Sequence, residues 1–278
     1  MSNDLIGKFS VVIVNYGTPE LTLKCVNSIL QYRIAAVDDL TVVENCSPDG
    51  SKDLLTKSLP EGVGLVIAKK NLGYSAGVNL GASNAKRDFI LILNPDTYFI
   101  DQSIAQALDL FVKDSSVGLV GLDLTYPSGE RQFSARRFYS VLDIVGRRSR
   151  LGRYWPLKQM VAKHMMIAAW EKAVPFDADW VMGTGFLIRR ALFEKIGRMD
   201  ESYFLYMEDV DLCARVWAEG LRVVCMPNVR LIHDHQRSSG AGPLSGAGKM
   251  HLASLKTFWQ KYRIPLFCPP GVKRIFRA

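Results

Sequence analysis

Four short apolar runs, each closing on polar residues, constrain this chain more than any other feature. "FSVVIVN" leads to Asn15, Tyr16 and Gly17, and "LTVV" ends in Glu44 and Asn45. "GVGLVIA" runs into "KKNLGYSAGVNLGASNAK", a glycine-containing loop that opens a helix, and "FILIL" stops at Asn94, Pro95 and Asp96. The runs are rich in β-branched residues and apolar on both faces, the pattern of strands covered on both sides. Between the first two, Thr18, Pro19 and Glu20 supply an N-cap, a first-turn proline and a first-turn acid, and Val26, Ile29 and Leu30 recur at helical spacing. Strands alternating with helices predict an α/β fold with a mostly parallel central sheet flanked by helices. Ligands of such sheets bind at the carboxyl ends of the strands, where these polar residues gather.

The second half continues the pattern. "DWVMGTGFLIRRALFEKIG" reads as strand, small-residue turn, strand and helix. A helix is predicted from Glu208, with Asp209, Leu212 and Val216 on one face, an Asp211–Arg215 pair four apart, and Gly220 placed to end it. "LRVVCMP" reads as another short strand. One domain over residues 1–248 followed by a basic segment, 249–278, is the expected organisation.

Charge is unevenly placed. The net charge is +8, yet Arg136 to Lys172 carries nine lysines and arginines against Asp143 and Glu171, and Lys249 to Ala278 carries seven and no acid. The remaining body is therefore acidic. The 134–175 segment interleaves its basic residues with aromatics, Met and Ile, and suits either amphipathic helices on an anionic membrane surface or a core-packed helical hairpin. Nucleic acid is disfavoured because the basic residues carry no recognition motif. No run is long and apolar enough to span a bilayer, and "MSNDLIGKFS" lacks the regions of a signal peptide. Five scattered cysteines without C-x-x-C spacing (Cys25, Cys46, Cys213, Cys225, Cys268) read as reduced thiols. Together these predict a cytoplasmic protein peripheral to the inner face of the plasma membrane.

Several chemistries are excluded by missing motifs. "NYGTPE" stands where a dinucleotide-binding G-x-G-x-x-G belongs, and neither a phosphate-binding G-x-x-x-x-G-K-[ST] loop nor a G-x-S-x-G elbow is present. His233 and His235 lack the spacing of a zinc site. Two acidic features remain. Asp96 closes a strand at the ligand edge, where it can hold a hard divalent cation. Glu208 and Asp209 open a helix, where they either cap it or accept a proton.

"VVIVNYGTPE", "NLGYSAGVNLGASNA", "LILNPDT", "DWVMGTGFLIRRALFEKIG" and "MDESYFLYMEDVDLCAR" occur in the order found in family 2 glycosyltransferases with a GT-A fold. The chain resembles, more narrowly, the bacterial rhamnosyltransferase branch that builds cell-surface polysaccharides such as O-antigen. The resemblance implies that Asn15, Tyr16 and Gly17 line the nucleotide pocket and that Glu44, where relatives more often have Asp, bonds the base or ribose. Asn71, Gly73 and Asn79 would border the nucleotide and diphosphate. "NPD" replaces the usual D-x-D, leaving Asp96 to hold Mg²⁺ or Mn²⁺ beside a neutral Asn94, with His233 either a further ligand or a loop-bracing histidine. Asp209 is implied as catalytic base with Glu208 the other candidate. Trp180, Gly183, Thr184, Gly185 and Arg137 would shape the sugar and acceptor pocket, although core packing also accounts for Trp180. The implied activity is transfer of one sugar, rhamnose from dTDP-rhamnose foremost, to a lipid-diphosphate-linked glycan or polysaccharide hydroxyl. Inversion by single displacement is expected, and retention through a covalent intermediate stays open. Processive synthesis is not expected, since Q-x-x-R-W and membrane spans are missing. The rivals are transfer of glucose, galactose, mannose or an amino sugar, and a non-catalytic nucleotide-sugar-binding homologue.

Overall fold

The run that begins at Phe9 forms β1 (Phe9–Asn15), buried at all seven positions. In this computed structural model, which describes residues 5–234, 245–267 and 271–277, β1 lies between two parallel neighbours. His235 and Cys268 fall outside the described residues. After β1 come α1 (Pro19–Gln31), β2 (Leu40–Glu44), α2 (Ser51–Ser58), β3 (Gly64–Ile67), α3 (Tyr74–Ala82) and β4 (Phe89–Leu93). These four strands are parallel in the order β3-β2-β1-β4, so Asn15 and Glu44 stand side by side at one carboxyl edge. Thr18 is the N-cap residue of α1, but its hydroxyl makes no cap bond; Asn15 Oδ1 accepts from Thr18 N–H at 3.3 Å instead.

The stretch 101–133, outside the expected elements, completes the sheet. After the two-residue β5 (Thr97–Tyr98) and α4 (Ala105–Lys113), β6 (Val117–Thr125) is buried throughout. Then follow β7 (Ala135–Arg136), α5 (Val141–Arg148), α6 (Leu157–His164), α7 (Ile167–Trp170), β8 (Phe176–Asp177), β9 (Trp180–Val181) and β10 (Gly185–Arg189). β10 runs antiparallel between β4 and β6, with Gly185 opposite Leu93. It starts at the ligand edge and runs away from it, so the Gly183–Thr184 turn sits directly against the end of β4, and Asn94 N–H donates to Thr184 O at 2.8 Å.

α8 (Arg190–Lys195), α9 (Glu208–Ala218), β11 (Arg222–His233) and α10 (Gly246–Lys261) follow, and a 3-10 turn, Val272–Ile275, comes last among the described elements. The expected short strand is only the first half of β11. Pairing with β6 shifts between Met226 and Arg230, where Pro227 offers no N–H and Asn228 takes a φ of 79°, and then resumes to His233. Successive residues of the strands face opposite layers. Val11, Ile13 and Leu91 pack with Val26 and Ile29 of α1 and Phe111 of α4. Val12, Val14 and Ile92 pack with Val78 of α3, Leu212 and Val216 of α9, and Phe258 of α10.

The basic 134–175 segment takes the core-packed form at its root and leaves its tip exposed. Its root is core: Phe138, Tyr139 and Trp170 join the α9 cluster, and the buried His164 packs on the Tyr139 ring. α5 starts at a capping box in which Asp143 N–H donates to Ser140 Oγ and Asp143 accepts from Ser140 N–H. α5 and α6 pack closely at Gly146, where a Cβ would come within 2.9 Å of Val161. Its tip, by contrast, exposes Leu151, Tyr154 and Trp155, the last at 77%.

Candidate active site

The nucleotide-edge residues gather at the ends of β1 and β2, braced by the loop that precedes α3. Asn15 is fully buried; its Oδ1 accepts from Thr22 Oγ1 at 2.9 Å and its Nδ2 reaches Ser47 Oγ at 3.4 Å. Gly17, at φ 70°, donates its N–H to the same Ser47 Oγ at 2.9 Å. Tyr16 is half exposed beside them, a ring available for stacking. Glu44 is buried, and its two carboxylate oxygens accept from Cys46 N–H at 3.1 Å and Ser47 N–H at 2.8 Å, which shapes the 45–47 loop and sets the Ser47 hydroxyl beside Asn15 and Gly17.

Asn71 and Gly73 also act on the backbone. Asn71 Oδ1 accepts from Gly73 N–H at 2.8 Å and from Asn45 Nδ2 at 3.2 Å. Gly73 sits at φ 98°, and a Cβ there would lie 2.3 Å from Phe204 O, so only glycine lets the 204–207 loop rest on the start of α3. The Asn79 amide is taken up by Met199 N–H, Met199 O and Glu201, clamping that loop to α3.

Asn94, Asp96, Trp180, Gly183, Thr184, Glu208, Asp209 and His233 line one cavity of about 450 Å³. Asp96 Oδ2 lies 3.3 Å from His233 Nε2, while Asp96 Oδ1 is buried with no hydrogen-bond partner among the described residues. Gln132 fixes the imidazole: its Nε2 donates to His233 O at 2.9 Å, which turns its Oε1 toward His233 Nδ1 at 2.6 Å. Nδ1–H donates to that oxygen, which leaves Nε2 toward Asp96, the arrangement in which an outer carbonyl orients a metal-binding histidine. This donor set fits a divalent cation. Among the described residues no group of three or more His, Cys, Asp or Glu is placed to hold one, and Asp96 and His233 would do so as a pair.

The two α9 carboxylates are delivered by a strained approach. Tyr206 and Met207 take φ of 71° and 68°, left-handed positions that cost non-glycine residues about 1–3 kcal/mol each. Asp209 Oδ2 accepts from Gly183 N–H at 2.8 Å and Oδ1 from Val210 N–H at 2.8 Å. Burial raises the Asp209 carboxyl above its ordinary range, opposed by those two N–H groups and by Arg136. Glu208 lacks such support: Oε2 is sealed without a partner, and burial and then the charge of Asp209 hold the group well above its ordinary range. Tyr74 donates its hydroxyl to Gly183 O at 3.1 Å; burial, then Glu208, Asp209 and Asp96, hold the phenol protonated.

Residues 7–245 match the family model described as glycosyltransferase like family 2. The chain belongs to glycosyltransferase family 2. It is similar to the N-acetylglucosaminyl-diphospho-decaprenol L-rhamnosyltransferase of Mycobacterium tuberculosis, with 30% identity over 81% of this chain and 77% of that one. It is also 27% identical to the O-antigen biosynthesis protein RfbC of Myxococcus xanthus, over 86% of this chain and 18% of the relative. The fold is similar to that of a Pyrobaculum calidifontis mannosyltransferase in complex with GDP-Man and Mn²⁺, with a TM-score of 0.58, 16% identity, and coverage of 83% of this chain and 58% of that one. It is also similar to GalNAc-T7 with UDP, GalNAc and Mn²⁺, with a TM-score of 0.64, 17% identity, and coverage of 94% and 49%. The family 2 enzyme thus has the GT-A architecture and is a nucleotide-sugar glycosyltransferase.

Within this glycosyltransferase, two expected pocket residues lie elsewhere. Gly185 is a close-packed position where a Cβ would meet Leu231 at 2.4 Å. Arg137 engages through its backbone, accepting from Trp180 Nε1 at 2.9 Å and donating to His164 O at 2.9 Å, and it is not among the cavity's lining residues. Arg136 takes the place expected of it, standing over the Trp180 ring at 5.1 Å and lining the cavity. β7 pairs with β9 so that Arg136 faces Trp180, and strand alternation sends adjacent residues to opposite faces. Trp180 is both core and cavity wall, 3% exposed and stacked on Tyr139. Gln132, Tyr74, Tyr206 and His251 also line the cavity. The sequence signals only Tyr74, as the residue that follows Gly73 at the helix start.

Proposed function

We propose that this glycosyltransferase moves one sugar, rhamnose from dTDP-rhamnose, to a hydroxyl of a lipid-diphosphate-linked or polysaccharide acceptor, with inversion. The observation that carries the reading is the placement of Asp209. Gly183 N–H holds one of its oxygens, the carboxylate lines the cavity, and the Gly183–Thr184 turn links it to the Asp96 end of β4. Asp209 takes the acceptor hydroxyl's proton as that oxygen bonds to the anomeric carbon. The sugar–phosphate bond breaks on the opposite face, and the nucleoside diphosphate leaves with the electron pair. Asp209 rather than Glu208 is the base, because Gly183 N–H, Val210 N–H and Arg136 favour its charged form while Glu208 Oε2 is sealed without a partner among the described residues. Asp96 and His233 would hold Mg²⁺ or Mn²⁺, which when bound offsets the charge developing on the departing diphosphate.

Rhamnose draws its support from the name of the mycobacterial relative, as does a diphosphate-linked acceptor. Peripheral docking on the cytoplasmic leaflet draws its support from the basic segment and its exposed Leu151, Tyr154 and Trp155. No described helix is long and apolar enough to cross a membrane. A panel of nucleotide-sugars with Mn²⁺ or Mg²⁺, scored for donor hydrolysis, tests the assignment. dTDP-rhamnose is expected to turn over fastest, and preference for a UDP- or GDP-hexose would replace rhamnose by that sugar. Asp209→Asn is expected to lower transfer at least about 100-fold with donor affinity nearly unchanged. Near-wild-type turnover in Asp209→Asn with a dead Glu208→Gln would reverse the base assignment.

A further inference from the structure

The catalytic cavity does not end at Asp209. A second cavity of about 160 Å³ adjoins it, and the two share Arg136, Tyr139 and His251 as lining residues. Its further wall includes Arg147 and Leu255. Leu255 in turn borders an open groove of about 500 Å³ formed with Leu252, Lys256, Trp259 and Arg277. Leu252, Leu255, Lys256 and Trp259 recur at spacings of three and four and so share one face of α10. Leu252 is 46% exposed and Trp259 56% exposed, so this face is uncovered. From Leu252 to Trp259 it extends roughly 10 Å at the α-helical rise.

The middle compartment is cationic and under-neutralised. Among the described residues neither Arg136 nor Arg147 forms an ion pair. The Arg136 side chain meets Phe133 O, Met182 Sδ and the Tyr139 hydroxyl, and Arg147 meets His164. Nearby carboxylates are committed elsewhere: Asp143 to the Ser140 cap, Asp179 to Arg274, and Asp209 to Gly183 and Val210. Burial and then Arg147 push the Arg136 guanidinium down to about 10, opposed by Tyr139 and by the charge of Asp209 across the cavity. Arginine pairs bind phosphate oxygens through charge-assisted, two-pronged hydrogen bonds.

Carboxylate, cation pair and apolar helix face therefore follow one another along a single trough. We propose that this trough is the acceptor site for a sugar carried on an isoprenoid diphosphate, with the diphosphate between Arg136 and Arg147 and the first isoprenoid units along Leu252, Leu255 and Trp259. The acceptor hydroxyl then reaches Asp209, and the rest of the lipid stays in the bilayer. α10 is tied to the catalytic loop, since Ser254 Oγ donates to Leu205 O at 2.8 Å and His251 stacks on Tyr206 at 5.2 Å. Lipid seated on α10 thus lies against the segment that delivers Asp209. The inference rests on the transferase reading above and goes beyond it by naming the residues that select the acceptor's diphosphate and lipid.

The test reads binding without turnover. Farnesyl diphosphate, inorganic pyrophosphate and farnesol are titrated calorimetrically into the full chain in EDTA, which removes the metal a donor diphosphate needs. Farnesyl diphosphate is expected to bind most tightly and to resist displacement by dTDP. Arg147→Gln, at an exposed position, should weaken farnesyl diphosphate and pyrophosphate alike by about tenfold or more. Trp259→Ser should weaken farnesyl diphosphate and leave pyrophosphate unchanged. Displacement by dTDP, indifference to Arg147→Gln, or equal binding of farnesol would each overturn the proposal. So would farnesyl diphosphate binding that is unchanged in Trp259→Ser, which would mark a phosphate-only site, or binding to anionic vesicles with none of the free diphosphates retained. Wild-type donor hydrolysis alongside failed farnesyl diphosphate binding would sink the trough and leave the transferase standing; retained binding without donor hydrolysis would do the reverse.

Discussion

Asp209 and Glu208 are neighbours in sequence, and their difference in role comes from what each oxygen touches. Asp209 has two backbone N–H donors and Arg136 in favour of its charge, whereas Glu208 has a bare, buried Oε2. No spacing rule separates two adjacent acids; burial and the Gly183 N–H do. Because burial lifts the Asp209 carboxyl, the acid limb of the kcat/KM profile is expected above the ordinary carboxylate range, with activity rising as pH rises through it. Arg136 opposes that lift, so Arg136→Gln should move the limb to higher pH still; a downward or absent shift in the pH–rate profile would contradict the placement of Arg136. The sequence reading named the neighbouring Arg137, one strand position away. Which of two adjacent arginines faces the site depends on the register of β7 against β9, a pairing across more than forty residues.

At the scale of elements, the opening glycines of α3 show how a motif serves packing. Gly77 and Gly81 lie one turn apart on the face toward the sheet, where added Cβ atoms would come within 2.8 Å of Val14 and 2.5 Å of Val12. Stiff β-branched neighbours cannot give way cheaply. Gly81→Ala is expected to destabilise the fold by about 1–3 kcal/mol in urea unfolding, despite alanine's better helix propensity. Gly246→Ala, with open space around it, should not. The α5–α6 tip makes the opposite point. Helical periodicity suited both a core hairpin and a membrane-facing one; Trp170 is buried at the root of the segment and Trp155 exposed at its tip. Tyr154→Ser with Trp155→Ser is expected to reduce co-sedimentation with anionic vesicles several-fold at physiological salt. Undiminished binding would remove the tip from the docking surface.

Across the whole molecule the site is assembled by one reversal of direction. β10 enters the parallel sheet antiparallel beside β4 and so brings the Gly183–Thr184 turn, and through it Asp209, to the edge where Asp96 waits. β11 then returns parallel to β6 and places His233 by Asp96, with β5 paired across it. A nucleoside diphosphate with Mn²⁺ is expected to raise the thermal midpoint by several degrees, since a ligand at 100 times its Kd adds about 2.7 kcal/mol. Asp96→Asn should lose the metal-dependent part of that rise and Asp209→Asn should keep it. Alone, the sequence determined the parallel half-sheet and singled out the acids Asp96, Glu208 and Asp209 that the fold gathers in one cavity, because apolar periodicity and helix signals act within a dozen residues. Only the tertiary structure decided that Glu44 and Asn79 brace loops, that Arg136 replaces Arg137, that Gln132 orients His233, and that the cavity continues to α10. Each of those depends on contacts between distant segments, and local sequence carries no record of which partner a polar side chain will meet.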